Sequence, residues 1–323
     1  MTEKKSSIFS ACDIKENILL DFYATVYPKR RNSHIWKWLN RSYFYNNKIP
    51  LVFLYENRVI AHSGMIPFKV SLNGKIYTAS WFIDFFVLPE FQKRGIGTML
   101  TEKCMEFSDI YVAFCNDKSM GIFKKQGWVE THDTYYHRYL LTPYLRLARI
   151  RRIFNIFSIL NYSKYSLGVR NTIFDCIESF RMFKTLPSEN TVIPVRDYDY
   201  FKWRILNSPD TDRYRVFSIK HTDMNFIIKL CYNHIDILWV SEPKRYYVIR
   251  NMISTLALWG IKKGFLYIDF YTSDKALSSE LLPMKPIITH PKFAFYTKDE
   301  ALLETLKRSN WDWEVIDSDF EWI

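Results

Sequence analysis

A glycine loop set between an apolar run and a helical pattern constrains this chain more than any other feature. Trp81-Phe82-Ile83-Asp84-Phe85-Phe86-Val87 reads as a strand, Leu88-Pro89-Glu90-Phe91 as a turn, and Gln92-Lys93-Arg94-Gly95-Ile96-Gly97 as the loop. Thr98-Met99-Leu100-Thr101-Glu102-Lys103-Cys104-Met105-Glu106-Phe107 continues as a helix. A helix start leaves backbone N–H groups unbonded and carries the positive end of the helix dipole, so this order offers an anion a cradle. Lys93 and Arg94 add formal charge, and the two glycines allow close backbone approach. Two phosphate loops fail here. A P-loop needs Lys-Ser/Thr after its last glycine, and a dinucleotide fingerprint needs a third glycine; Ile96-Gly97-Thr98-Met99-Leu100 supplies neither. A pyrophosphate-bearing ligand remains, against the plainer reading of a glycine-capped strand–turn–helix connection.

Downstream, Asp109-Ile110-Tyr111-Val112-Ala113-Phe114-Cys115 is a continuous apolar run suited to a buried strand. Asn116-Asp117 brings turn or N-cap chemistry, and a short helical pattern ends in Phe123-Lys124-Lys125-Gln126-Gly127-Trp128. The loop resembles the Q/R-x-x-G-x-G/A acyl-CoA loop of the GCN5-related N-acetyltransferase (GNAT) superfamily. The downstream segment is similar to that superfamily's strand, Asn, short helix and Y-x-K-x-G-F-like ending. The resemblance covers residues 50–140. It implies that Gln92, Lys93, Arg94, Gly95, Ile96, Gly97 and Thr98 cradle the pyrophosphate of acetyl-CoA or another acyl-CoA. It also implies that Phe86 and Val87 line the thioester, and that Asn116 and Phe123 complete the cofactor site.

The other properties fit such a protein. With 323 residues, 18% of them aromatic, the chain can bury two cores. No signal-like apolar run follows Met1, and no apolar stretch of about 18 residues exists to span a bilayer. Five scattered cysteines, with no C-x-x-C and no H-x-x-x-H among seven histidines, suit reduced, mostly buried thiols in a cytoplasm and predict no metal. The formal charge of +11 is spread along the chain, which argues against a nucleic-acid partner. Its densest basic stretch, residues 139–170, alternates Arg and Lys with large apolar residues. That stretch reads as an inter-domain helix, or as a peripheral contact with an anionic membrane face.

The sequence also repeats. His34-Ile35-Trp36-Lys37-Trp38-Leu39-Asn40 precedes one strand series, and Tyr200-Phe201-Lys202-Trp203-Arg204-Ile205-Leu206-Asn207 precedes another. The expected fold is α/β: two tandem GNAT-like domains, each a mixed, mostly antiparallel sheet flanked by helices. The boundaries fall at 1–143 (acyl-CoA-binding, catalytic), 144–185 (basic amphipathic linker helices) and 186–323 (a degenerate GNAT-like copy). Ser241-Glu242-Pro243-Lys244-Arg245-Tyr246 stands where the first copy has its glycines, so only the first copy is expected to bind coenzyme A. The acidic Trp311–Asp319 tail reads either as a solvated end or as a mark of bacterial tandem acyltransferase-like proteins of surface-polysaccharide and lipopolysaccharide biosynthesis.

Acyl transfer to an amine needs a base, a polarised carbonyl and a leaving thiolate. Asp84 is the expected general base, with burial raising its pKa, and His62 the second candidate. The resemblance implies that a backbone N–H near Val87 holds the acyl carbonyl. Many relatives place a Tyr general acid where this chain has Phe123, leaving Tyr111, Cys115 and Tyr135 as the nearest proton donors in sequence. The expected reaction is N-acylation, most simply acetylation, of an amino sugar or its nucleotide- or lipid-linked form. The alternatives are an aminoacyl-tRNA-dependent transferase of the peptidoglycan-bridge type, or a non-catalytic acyl-CoA- or sugar-binding scaffold.

Overall fold

The computed structural model describes residues 6–27, 33–40, 50–131, 133–141, 159–160, 167–169, 189–219, 224–241 and 245–318. Most of the basic stretch at 139–170 and of the linker at 144–185 lies outside them, as do residues 242–244 and 319–323; within the linker, Leu167–Val169 forms a strand where helix was expected. Among the described residues, no helix is long and apolar enough to cross a membrane.

Two sheets carry the fold. The first follows the order β1 (Ser6–Ser10), β2 (Leu51–Tyr55), β3 (Arg58–Leu72), β4 (Lys75–Val87), β5 (Ile110–Cys115), β15 (Lys292–Tyr296), β6 (Val129–Thr131). Its hairpins turn on Glu56-Asn57 and Asn73-Gly74, all with positive φ, as a two-residue turn between twisted strands requires. β9 (Thr191–Pro194) pairs with β3, and β16 (Asn310–Trp311) with β9. The second sheet runs β8 (Leu167–Val169), β10 (Tyr214–Ile219), β11 (Asn225–Leu230), β12 (His234–Val240), β13 (Tyr267–Thr272), β7 (Tyr135–Leu140), β14 (Ile287–Thr289).

The two orders match strand for strand. In each, every pair along this path is antiparallel except the fourth with the fifth, β4–β5 and β12–β13. Each sheet takes its sixth strand from the other half of the chain. β7, which follows β6, crosses into the second sheet, and β15, which follows β14, crosses into the first. At the crossing the Thr134 hydroxyl donates to the Pro291 carbonyl, and His290 Nδ1–H donates to the Thr134 carbonyl at 2.9 Å. A boundary at 143 therefore follows the chain but not the sheets. β7 alternates and buries in the same way whichever sheet receives it, so sequence pattern cannot report the exchange.

The halves meet in one aromatic core. Trp81 of β4 sits in it with Trp313 at 5.0 Å and Phe293 of β15 at 5.9 Å, and Leu238, Trp239 and Tyr271 of the second sheet join them. The repeated tryptophans touch directly. Trp38, on α2 (Ser33–Asn40), stacks on Trp203 at 5.4 Å, and each indole N–H donates to the other's backbone carbonyl, at 2.9 and 3.3 Å. The described part of the acidic tail packs inward. Glu314 and Asp317 are buried, and Arg196 makes two bonds to the Asp317 carboxylate, at 2.8 and 2.5 Å. A second core lies under α1 (Glu16–Val26), α3 (Ile96–Cys104) and α4 (Asp117–Lys125). A third lies under α6 (Tyr246–Lys263) and α7 (Lys275–Leu281), counting the short helix Tyr198–Phe201 as α5. Of the four described cysteines only Cys104 is buried, where mostly buried thiols were expected.

The exchanged strand carries a pH liability. His137 of β7 has no exposed surface, and its Nε2 lies 2.9 Å from the Ser278 hydroxyl of α7. Burial, with a contribution from His290, lowers its pKa from 6.5 to about 4. Between these values the unfolded chain binds a proton that the folded chain refuses. Full stability thus holds above about pH 6.5 and is lost as pH falls toward 4. The loss attributable to this group reaches about 3 kcal/mol. Urea unfolding across that range should show the wild type losing stability more steeply than His137→Leu, and parallel slopes would remove His137 as the cause.

Candidate active site

The site begins where two parallel strands part. β4 and β5 pair only through Ala79–Trp81 and Ile110–Val112, yet β4 runs on to Val87 and β5 to Cys115. A gap therefore opens between them toward their C-terminal ends. Just past the last pair, the register of β3 against β4 shifts between His62 and Gly64, so Asp84 and Phe85 together oppose Ser63. This is a β-bulge, and Asp84 takes φ +49 within it, a left-handed conformation that Asp tolerates better than most residues. Leu88 N–H donates to the Ile60 carbonyl of β3 at 2.9 Å. Because amides alternate direction along a strand, the Val87 N–H points away from β3 and into the gap.

The glycine loop closes the far end of the gap. Gly95, at φ +77, is the N-cap of α3, and the first intrahelical bond runs from Met99 N–H to the Gly95 carbonyl. The N–H groups of Ile96, Gly97 and Thr98 thus lack helical partners. The two glycines serve different needs. A Cβ on Gly95 would meet nothing within 4 Å, so only its backbone angle demands glycine, whereas one on Gly97 would lie 3.2 Å from Phe85 Cζ, so helix-to-strand packing demands it there. Gln92 and Arg94 brace the loop: Gln92 Nε2–H donates to the Val87 carbonyl at 2.9 Å, and Arg94 donates to the Glu90 carbonyl at 2.9 Å while lying over the Phe91 ring. Lys93 and Thr98 are exposed, and the Ile96 side chain is core, so Ile96 offers the loop its amide.

Asp84 is half-buried beside the gap. His62 is placed otherwise than a proton shuttle requires, because it has no exposed surface. Its Nδ1–H donates to the Asp84 carbonyl at 3.0 Å, and its Nε2 accepts from the Tyr23 hydroxyl of α1 at 2.9 Å. The ring holds the bulge, and therefore Asp84, in place; Tyr23 was not legible as a site residue because only the packing of α1 on β3 brings it there. Phe86 pairs with His62 and is half-buried. Asn116 caps α4, its Oδ1 accepting from Lys118 and Ser119 N–H in a capping box. Phe123 is 2% exposed, stacks on Trp128 at 4.3 Å and packs on Phe82 and Phe85, so it supports the site from beneath rather than lining it.

Two of the three proton donors named from sequence fall away. The Tyr111 hydroxyl accepts from Ser108 N–H at 2.6 Å, at the closed end of the gap, and Tyr135 belongs to the second sheet. Cys115 stands at the open end of β5, where burial pushes its thiol up to about 12.

The second sheet repeats the gap and fills it. β12 pairs with β13 from His234–Tyr267 to Ile237–Phe270 and no further, with a register shift of β12 against β11 at Ile227/Ile228 just beyond. Ser241 N–H donates to the Asn225 carbonyl at 2.8 Å, as Leu88 does to Ile60, so Val240 stands where Val87 stands. Its N–H is bonded to Glu314 Oε1 at 3.1 Å. Next to it, Trp313 N–H donates to the Ser273 hydroxyl at 2.9 Å. A carboxylate of the chain itself thus holds the amide that the first sheet aims into its gap. Among the described residues no side chain accepts from the Val87 N–H.

Residues 13–128 match the family model of the acetyltransferase (GNAT) domain. No curated protein matches the sequence. Among solved structures, a GCN5-related N-acetyltransferase from Kribbella flavida superposes with TM-score 0.62 at 10% identity, over 91% of this chain and 71% of that one. Saccharomyces cerevisiae N-myristoyltransferase with bound myristoyl-CoA superposes with TM-score 0.55 at 10% identity, over 92% and 78%. A glucosamine N-acetyltransferase region of a fungal multi-domain GH3 β-N-acetylglucosaminidase gives TM-score 0.56 at 11% identity, over 92% and 38%. At such identities the likeness is one of fold: this chain has the fold of GNAT N-acyltransferases, and the family-model match is confined to residues 13–128.

Proposed function

We propose that the protein is an acyl-CoA-dependent N-acyltransferase, most simply an acetyltransferase, whose one working site is the gap between β4 and β5. The observation that carries this reading is the contrast between the two gaps: in one, among the described residues, no side chain accepts from the strand amide beside a glycine-capped helix start, and in the other that amide is bonded to Glu314. The pyrophosphate of the donor sits on the amides of Ile96–Thr98 beside Lys93, and the pantetheine arm runs into the gap beside Phe86. The thioester carbonyl accepts from Val87 N–H. Asp84 removes a proton from the acceptor ammonium, and the free amine attacks the carbonyl carbon. The oxyanion that forms stays on Val87 N–H; as it collapses the C–S bond breaks, the sulfur leaves with the bonding pair, and the attacking nitrogen sheds its second proton to solvent to give the neutral amide. The Cys115 thiol, with its pKa near 12, gives up its proton less readily than an ordinary thiol near 8.5, so it can donate a hydrogen bond to the thiolate but not protonate it.

The acceptor is read as an amino sugar or a sugar-linked precursor of surface polysaccharide. This rests on the sequence resemblance, and the glucosamine N-acetyltransferase region among the structures of like fold accords with it. The two halves are read as tandem copies, supported by the matching strand orders and the reciprocal Trp38–Trp203 contact. A cytoplasmic location and a peripheral membrane contact through 139–170 remain part of the proposal.

Calorimetry with acetyl-CoA tests the donor site. Wild type should bind one equivalent, and Gly95→Trp should weaken binding at least about tenfold, because the indole projects where nothing now stands within 4 Å. The left-handed angle costs the folded state about 1–3 kcal/mol, so circular dichroism should still report a folded chain. Unchanged affinity in that variant would show that the loop does not hold the donor.

A further inference from the structure

We propose that Cys231, His234 and Asp236, at the β11–β12 hairpin, form a binding site for a zinc-class divalent cation. Cys231 N–H donates to the His234 carbonyl at 2.9 Å, closing a turn over Tyr232 and Asn233, so Cys231 and His234 stand across from each other. Asp236 follows His234 by two positions on the same strand and so shares its face. Cys231 Sγ lies 3.3 Å from Asp236 Oδ2, and His234 Nε2 lies 3.4 Å from Asp236 Oδ1. One ligand atom from each of the three falls within 4.8 Å of the others. Tetrahedral zinc, with bonds of about 2.0 Å to nitrogen or oxygen and about 2.3 Å to sulfur, sets its ligand atoms roughly 3.3–3.8 Å apart. The three side chains are spaced for that sphere.

The histidine is also oriented for it. His234 Nδ1–H donates to the Asn233 side-chain oxygen at 2.9 Å, which leaves the Nε2 lone pair facing a carboxylate oxygen. With the ring neutral, as metal ligation requires, Nε2 and the carboxylate oxygen are two acceptors facing each other across 3.4 Å, an arrangement that a cation between them satisfies. The ring is fixed by stacking on Tyr267 at 4.6 Å and an interplanar angle of 9°. Asp236 is 5% exposed and pairs in register with Asp269, so two carboxylates adjoin inside the sheet. Arg138 answers the second of them through two bonds of 2.8 Å to Asp269. A metal at Asp236 answers the first. One thiolate, one imidazole and one carboxylate suit zinc rather than magnesium or calcium, and leave a fourth position for water. The C-x-x-H-x-D spacing is neither of the patterns whose absence led the sequence to predict no metal.

The test uses the full chain, stripped with chelator and titrated with Zn²⁺ against a chromophoric competitor. The expected result is one equivalent bound at micromolar or tighter affinity, with Cys231→Ser and His234→Gln each weakening it at least about 100-fold. Co²⁺ in place of Zn²⁺ should give a thiolate-to-metal absorption band in the wild type that Cys231→Ser lacks. Absence of Zn²⁺ binding, absence of that band, or undiminished binding in the Cys231→Ser/His234→Gln double variant would each overturn the proposal. The cobalt band is read on wild-type protein, so it decides the matter even if a variant fails to fold. Acetyl-CoA calorimetry on the same samples keeps the outcome separate from that of the donor site.

Discussion

Asp84→Asn is expected to lower kcat by about 10²- to 10⁴-fold, the usual contribution of a positioned base. Acetyl-CoA affinity should stay within about threefold of wild type, since asparagine removes only the charge. The substitution isolates that charge well. Asp84 sits at φ +49, and asparagine is the other residue that accepts a left-handed angle readily, so the bulge keeps its shape. The His62 bond is made to the backbone carbonyl of residue 84, which the substitution retains. The measurement is steady-state thiol release with an amine acceptor such as glucosamine, beside donor calorimetry. A variant that keeps more than about half of the wild-type kcat would move the base elsewhere.

Arg196→Met should destabilise the fold by about 3–5 kcal/mol. Burial disfavours the charge of this guanidinium, but Asp317, Glu314 and Asp312 outweigh it and hold the group charged well above its ordinary pKa. Glu314 and Asp317 are 3% exposed, so methionine removes the cation from two carboxylates that water does not reach. The structural consequence goes beyond charge. Glu314 bonds Val240 N–H and Trp313 packs at 5.0 Å from Trp81, so the segment that Arg196 fixes both fills the second gap and joins the sheets. Urea denaturation reads the effect directly. A loss under about 1 kcal/mol would mean that the carboxylates find other compensation.

The part of the site encoded locally was legible. Gly95 stands out because a helix start entered at positive φ favours glycine, and Asn116 because an N-cap needs a short acceptor side chain. Both signals depend on a few consecutive residues. What stayed hidden depends on register and on distant chain. His62 looked like a base because its sequence position says nothing of the bulge opposite it; only the slipped pairing of β3 with β4 places its ring on the Asp84 carbonyl. Phe123 aligned with a ligand-lining residue, yet its stacking on Trp128 makes it core. Glu314 and Val240 are 74 residues apart, and an acidic tail reads as solvated until its cation is known. Likewise, Cys231, His234 and Asp236 match no familiar metal spacing, and a tight hairpin is what gathers them.

The strand exchange fixes when this protein can fold. β5 obtains its full-length partner only from β15, so Cys115 waits for Lys292 before the centre of the first sheet is complete. During synthesis at roughly 5–20 residues per second, the first half spends on the order of ten seconds or more with that edge uncovered. Pairings so far apart in sequence also slow the search for the native state, because loop closure precedes any gain from contact. The two halves mature together or not at all, and the β5 edge is the surface on which an unfinished chain meets another of its kind.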